Sequence, residues 1–150
     1  MSEFTNKSVL ITGASEGIGR ATARVFAARG ANLILVARNE QRLDDLQREL
    51  AAAHDVKIQI HPLDLRDVSA VEMFFSKLEG EALDFAVNNA GFEGRIADLN
   101  ELNMEDYEAV FDVNVRAVWQ CLKHEIAHFR GRKKAGAIVN VASILGFRGI

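Results

Sequence analysis

The chain has 150 residues, 49% of them hydrophobic and 26% charged, the ordinary balance of one globular domain with its own core. A net charge of −3 and a pI near 5.8 supply no field that would draw it to nucleic acid or an anionic membrane, and the cluster Arg130, Arg132, Lys133 and Lys134 reads as a solvated loop. Its single cysteine, Cys121, excludes an intramolecular disulfide, and no apolar stretch approaches the ~20 residues that span a bilayer.

Residues 1–7 contain no apolar run of signal-peptide length, so a cytoplasmic protein is the expectation. No repeat or linker-like stretch divides the sequence, which reads as one domain over residues 1–150. Short apolar runs rich in Val, Ile and Leu at 8–12, 32–36, 57–60, 85–87 and 137–141 predict buried parallel strands. Helical stretches lie between them at 17–29, 40–53, 68–78 and 105–129. Gly30 stands where the first helix needs a C-terminal cap, and Asp67 where the third needs an N-cap. Leu43, Leu46 and Leu50 make one apolar stripe on the second helix. Strand and helix alternating in this way predict an α/β fold, an open parallel sheet with helices on both faces.

The first predicted strand runs directly into Thr12-Gly13-Ala14-Ser15-Glu16-Gly17-Ile18-Gly19, after which a helix begins. A strand that delivers a glycine turn to a helix N-terminus creates an anion site. Backbone N–H groups and the positive end of the helix dipole converge there, and missing Cβ atoms admit a pyrophosphate. The spacing is G-x-x-x-G-x-G, not the commoner G-x-G-x-x-G. A tight strand-to-helix turn is by itself a structural reason for three glycines, and the position between first strand and helix is what favours a phosphate site.

Arg38 follows the second predicted strand, with no acid at the strand end. An acid there would hold the adenine-ribose hydroxyls of NAD, whereas an arginine accommodates the 2′-phosphate of NADP. Ser15 adds a hydroxyl donor, while Glu16 opposes the assignment unless its carboxylate points to solvent. On balance the residues predict NADP(H) in preference to NAD(H).

Further segments match one known family in order and spacing. Thr12-Gly13-x-x-x-Gly17-x-Gly19, Leu63-Asp64-Leu65, Asn88-Asn89-Ala90-Gly91, Asn114 within Asp112-Val113-Asn114-Val115, and Asn140-Val141-Ala142-Ser143 together resemble the short-chain dehydrogenase/reductase family. The resemblance covers nearly the whole chain. It implies a Rossmann-type doubly wound parallel sheet, C-terminally incomplete, with five strands in spatial order 3-2-1-4-5. It implies that Gly13, Ser15, Gly17, Ile18, Gly19, Arg38, Asp64, Leu65, Asn89, Ala90 and Gly91 line the cofactor, with Asp64 at the adenine amino group.

The implied reaction is hydride transfer between a nicotinamide and the carbon of a small-molecule alcohol or carbonyl substrate. Ser143 would hydrogen-bond the substrate oxygen and Asn114 would hold a water of the proton relay. In the family a tyrosine exchanges the proton and a lysine four residues on lowers its pKa. The only tyrosine here is Tyr107, four residues before Phe111, and it reads as a packing residue. The 150 residues alone are therefore expected not to turn over substrate, and the strand at 137–141 to be left as an apolar edge. The intact protein is expected to be a homo-oligomer.

Two rival readings remain. His124-Glu125-Ile126-Ala127-His128 fits the H-E-x-x-H signature of zinc peptidases, but residues 129–150 offer no third ligand. A solvated or interfacial helix is the expectation there, and no metal site is predicted. A non-catalytic NADP(H)-binding module needs only the glycine turn, and the sequence leaves it open.

Overall fold

The structure, a computed structural model, describes residues 3–144. Its sheet is built from β1 (Ser8–Thr12), β2 (Asn32–Ala37), β3 (Ile58–Pro62), β4 (Phe85–Asn88) and β5 (Ala137–Asn140). All pairings are parallel, as the apolar runs predict, and the spatial order is β3-β2-β1-β4-β5, as the family resemblance implies. Between the strands run α1 (Gly17–Ala28), α2 (Glu40–Ala53) and α3 (Val68–Lys77). A longer helical path, α4 (Met104–Phe111) and α5 (Val118–Gly131), precedes β5.

The alternation of side chains along a strand divides the core in two. Val9 and Ile11 of β1, with Leu33 and Leu35 of β2, face α1 and α2 and meet the predicted stripe Leu43, Leu46 and Leu50. Leu10, Ile34 and Val36 face the other way, onto Val71, Phe74 and Phe75 of α3, Cys121 of α5 and Ala117 just before it. β1 is buried along its whole length because helices cover both its faces.

The helix ends follow from their local chemistry. Gly30 takes φ +81°, its N–H donates to the Ala27 carbonyl, and the Ala31 N–H reaches back to Phe26, closing α1 in a Schellman pattern. Asp67 caps α3 by accepting from the Ala70 N–H at 3.0 Å. β3 begins and ends later than 57–60, because Ala37 extends β2 by a residue and pairs with Pro62. Proline is tolerated there because β3 is an edge strand.

The largest departure is in the predicted helix at 105–129. It starts at Met104, where Asn103 and Asp106 form a reciprocal capping box, and a short 3₁₀ turn at Leu99–Glu101 precedes it. Residues Asp112–Ala117 then wind as a π-helix between α4 and α5. Composition does not announce such a segment, within which Asn114 reaches the distant backbone of Phe92. Of the basic cluster, Arg130, Lys133 and Lys134 are exposed, but Arg132 is tied to the Leu83 carbonyl at 2.8 Å. No helix among the described residues is long and apolar enough to cross a membrane.

Candidate functional site

Parallel strands end on one side of a sheet, so the segments after β1, β2, β3 and β4 gather along one rim. Thr12 binds two of them together. Its Oγ1 accepts from the backbone N–H groups of Asn89 and Ala90, both at 3.0 Å. The Asn89 side chain returns the contact, with Nδ2 donating to the carbonyls of Thr12 at 3.1 Å and Gly13 at 3.3 Å.

That clasp explains two of the glycines. A Cβ on Gly13 would lie 2.9 Å from the Ala90 Cα, and the residue also takes φ +64°. A Cβ on Gly19 would lie 2.2 Å from the Gly13 carbonyl oxygen and 2.6 Å from Asn89 Nδ2. Gly17 differs: its surroundings are open, and its φ of +53° is the constraint. The turn therefore needs glycine at all three positions, for two distinct reasons.

α1 begins at this turn with no side-chain cap and no acid in its first turn. The turn that leads into it, with the N-cap residue Glu16, lines a cleft of about 590 Å³ whose wall also includes Gly13, Ser15, Arg38, Leu65, Asn89 and Ala90. An uncapped helix end, an abutting backbone without Cβ atoms and a guanidinium suit a phosphate-bearing ligand. A dinucleotide therefore fits the residues present.

The charges on the wall are arranged in pairs. Glu16, the N-cap residue of α1, turns its carboxylate to the Arg42 guanidinium instead of to its own helix. Asp64 is gripped by Arg66, whose Nη2 donates to Oδ2 at 2.6 Å; that hydrogen bond above all holds its carboxyl below the usual range. Arg38 is exposed and, among the described residues, makes no hydrogen bond or ion pair. It is near enough to Asp64 to help keep that carboxylate ionised.

Asn114 lies in the π-helical segment and both ends of its amide are used. Oδ1 accepts from the Phe92 N–H and Nδ2 donates to the Phe92 carbonyl, each at 2.8 Å. The side chain thus stitches the helix to the loop that follows Asn89-Ala90-Gly91. A π-turn carries an extra residue, which swings one side chain out of regular helical register.

The H-E-x-x-H segment does not form a solvated face. Glu125 is completely buried and accepts from Asn88 Nδ2 at 3.1 Å, the same nitrogen that donates to Asn140 Oδ1 at 3.0 Å. Burial pushes its carboxyl up to about 7, and the Asn88 hydrogen bond opposes the shift without cancelling it. His124 stacks on Phe75 of α3 with ring centroids 4.9 Å apart. The expectation of a solvated or interfacial helix holds for Ile126 and Ala127 and is corrected at Glu125, because this position faces the sheet. Among the described residues no three His, Cys, Asp or Glu side chains cluster as metal ligands.

Of the residues singled out in the sequence, Gly13, Ser15, Arg38, Asp64, Leu65, Asn89, Ala90 and Gly91 line the one cleft. Gly17, Gly19 and the exposed Ile18 sit at the head of α1 beside it, shaping the turn. Asn114 supports the rim through Phe92, and Ser143 is exposed beyond the end of β5. Tyr107 is not a core residue: it stacks on Phe111, centroids 4.1 Å apart, on an exposed face. Sequence reasoning missed Arg42 and Phe92 on the cleft wall. Arg42 had a readable signal, since its place in the first turn of the second helix is where a cation opposes the helix dipole.

Comparison with known proteins agrees with this geometry. A protein-family model described as short chain dehydrogenase matches residues 7–150. The chain is 36% identical over 151 residues to a 3beta-hydroxysteroid dehydrogenase of Mediterraneibacter gnavus, covering 99% of this chain and 54% of that protein. An alcohol dehydrogenase of the archaeon Thermococcus sibiricus, solved with 5-hydroxy-NADP, superposes with TM-score 0.88 at 36% identity, over 96% of this chain and 61% of that one. A xylitol dehydrogenase solved with NAD+ superposes with TM-score 0.90 at 29% identity, over 99% of this chain and 57% of that one. The chain thus spans a little over half the length of the proteins it matches.

Proposed function

The chain belongs to the short-chain dehydrogenase family, whose relatives are oxidoreductases, and we propose that it is the cofactor-binding part of an alcohol or carbonyl oxidoreductase that prefers NADP(H) to NAD(H). One observation carries the proposal: the uncapped N-terminus of α1 and the unpaired Arg38 open onto the same cleft. The first supports a pyrophosphate and the second an added 2′-phosphate.

Within this reading, the N–H groups around Gly13, Gly17, Ile18 and Gly19 hold the pyrophosphate, and Ser15 adds a hydroxyl. Leu65 and Asp64 receive the adenine end. The backbone at Asn89, Ala90 and Gly91 passes close to the ribose because Thr12 draws it in. When bound, the nicotinamide dinucleotide gives or accepts a hydride. Asn114 holds the loop at Phe92 in place, and Ser143, just past the end of β5, offers a hydroxyl to the substrate oxygen. The tyrosine and lysine of the family's proton transfer have no counterpart within these 150 residues, so we propose cofactor binding without turnover for this chain alone. A purely cofactor-sensing module would share the same cleft.

The exposed apolar row Tyr107, Phe111, Val115 and Trp119 supports the further proposal that copies of the protein associate along α4 and α5. Titration with NADPH and NADH, followed by nicotinamide fluorescence, tests the central proposal. Arg38→Asp should weaken NADPH binding about tenfold or more and leave NADH little changed. Equal losses for the two would overturn the 2′-phosphate assignment, and binding of neither by the wild type would overturn the cofactor reading.

A further inference from the structure

Two charges at the mouth of the cleft have no structural purpose of their own. Glu16 stands at the N-cap of α1 and makes no cap hydrogen bond there; its carboxylate pairs with Arg42 across the cleft wall. Arg42 occupies the first turn of α2, where the helix dipole disfavours a cation, and its N–H is taken by the Asn39 cap at 3.0 Å. The side chains of Glu16 and Arg42 are 72% and 52% exposed. Ion pairs as open as this add little to stability, so folding does not account for it.

The pair does have an effect on the cleft. With the Glu16 carboxylate drawn to Arg42, it does not cap the N-terminal N–H groups of α1, and its charge is paired. Arg42 and the unpaired Arg38 line the same wall, so two guanidinium groups flank the place where a ligand phosphate would enter.

We propose that Arg42 is an exchangeable specificity residue, which holds Glu16 while the cleft is empty and exchanges it for the 2′-phosphate of an entering NADP(H). This rests on the dinucleotide reading above. A phosphate brings close to two negative charges and three acceptor oxygens, and a guanidinium binds it bidentately. Glu16 is already mostly in water, so releasing it costs little. A dinucleotide without the phosphate presents only ribose hydroxyls, which do not displace a carboxylate from arginine. The Glu16–Arg42 pair then stays closed, and the device separates the two cofactors.

The test is a cycle of Arg42→Gln, Glu16→Gln and the double variant, each titrated with NADPH, NADH and 2′,5′-ADP. Thermal melts confirm that every variant folds. Arg42→Gln should weaken NADPH and 2′,5′-ADP about tenfold while NADH stays within about twofold. Glu16→Gln, which frees the arginine, should tighten NADPH about threefold or more. In the Glu16→Gln background the Arg42 change should still weaken NADPH, because the guanidinium itself meets the phosphate. No effect in that background would mean that Arg42 acts only through Glu16, and the exchange would be overturned. Equal weakening of NADPH and NADH by Arg42→Gln would overturn it as well. If Arg38→Asp weakens NADPH selectively and Arg42→Gln does nothing, this inference falls while the cofactor reading stands. If the wild type binds neither dinucleotide, the cofactor reading itself falls.

Discussion

Glu125 on α5 accepts a hydrogen bond from Asn88 on β4 at 3.1 Å while its other carboxylate oxygen, Oε1, has no partner among the described residues. Among the described residues no lysine, arginine or histidine lies within ion-pair reach, and Cys121, the titratable group beside it, is pushed up to about 12 mainly by burial. A carboxyl raised to about 7 on folding from an ordinary value of 4.5 takes up a proton as the chain folds. Below the unfolded pKa both states are protonated and nothing is lost. As pH rises from there toward 7 the unfolded state ionises first, so stability falls, by on the order of 3 kcal/mol in full. Denaturant melts at pH 5 and pH 8 should show this decline in the wild type, and Glu125→Gln should flatten it. An unchanged pH slope in the variant would refute the assignment.

Asn114 fixes the loop at Phe92 through two hydrogen bonds of 2.8 Å. Asn114→Ala should remove both, costing about 1–3 kcal/mol in total. The Phe92 amide should then exchange with solvent much faster, and nicotinamide dinucleotides should bind more weakly. Unaltered exchange at that amide would show that the π-helical segment holds the loop without its asparagine.

The glycines of the turn should fail in different ways. Gly19→Ala drives a methyl group into the Gly13 carbonyl and Asn89, so it should lower the melting temperature and abolish dinucleotide binding together. Gly17→Ala meets no neighbour and carries only the strain of φ +53°, about 1–2 kcal/mol. Thermal melts that rank Gly17→Ala as the worse of the two would contradict the packing described here.

The H-E-x-x-H segment should bind no stoichiometric zinc. Its glutamate is turned into the core and its first histidine lies flat against Phe75. Metal analysis of the purified protein checks this, and stoichiometric zinc that disappears in His128→Ala would revive the peptidase reading.

The parts of the fold that follow from periodicity were legible in the sequence. Leu43, Leu46 and Leu50 face the sheet as their spacing requires, whereas the strand order was legible only through the family resemblance, since parallel runs joined by helices fit more than one order. The tight turn between β1 and α1 was legible too, because three glycines between a strand and a helix mark a place where side chains have no room or the backbone takes positive φ. What escaped was set by partners distant in sequence. Nothing near Glu125 announces that Asn88 will bury it, and nothing near Glu16 announces Arg42. The π-helical segment escaped for the same reason, since the contact of Asn114 with Phe92 comes from elsewhere in the chain.

That segment also bears on how the gene can drift. A regular helix advances about 100° with each residue, and a π-turn stores roughly one residue beyond the regular count. Deleting a single codon within Asp112–Ala117 would let the backbone close as an unbroken α-helix with every hydrogen bond kept. The flanking helices Met104–Phe111 and Val118–Gly131 would keep their relation, and the cost would be local: Asn114 would fall back into regular register and lose its hold on the loop at Phe92. Point substitutions on the outward side of this stretch should accumulate freely, whereas changes of length should be purged.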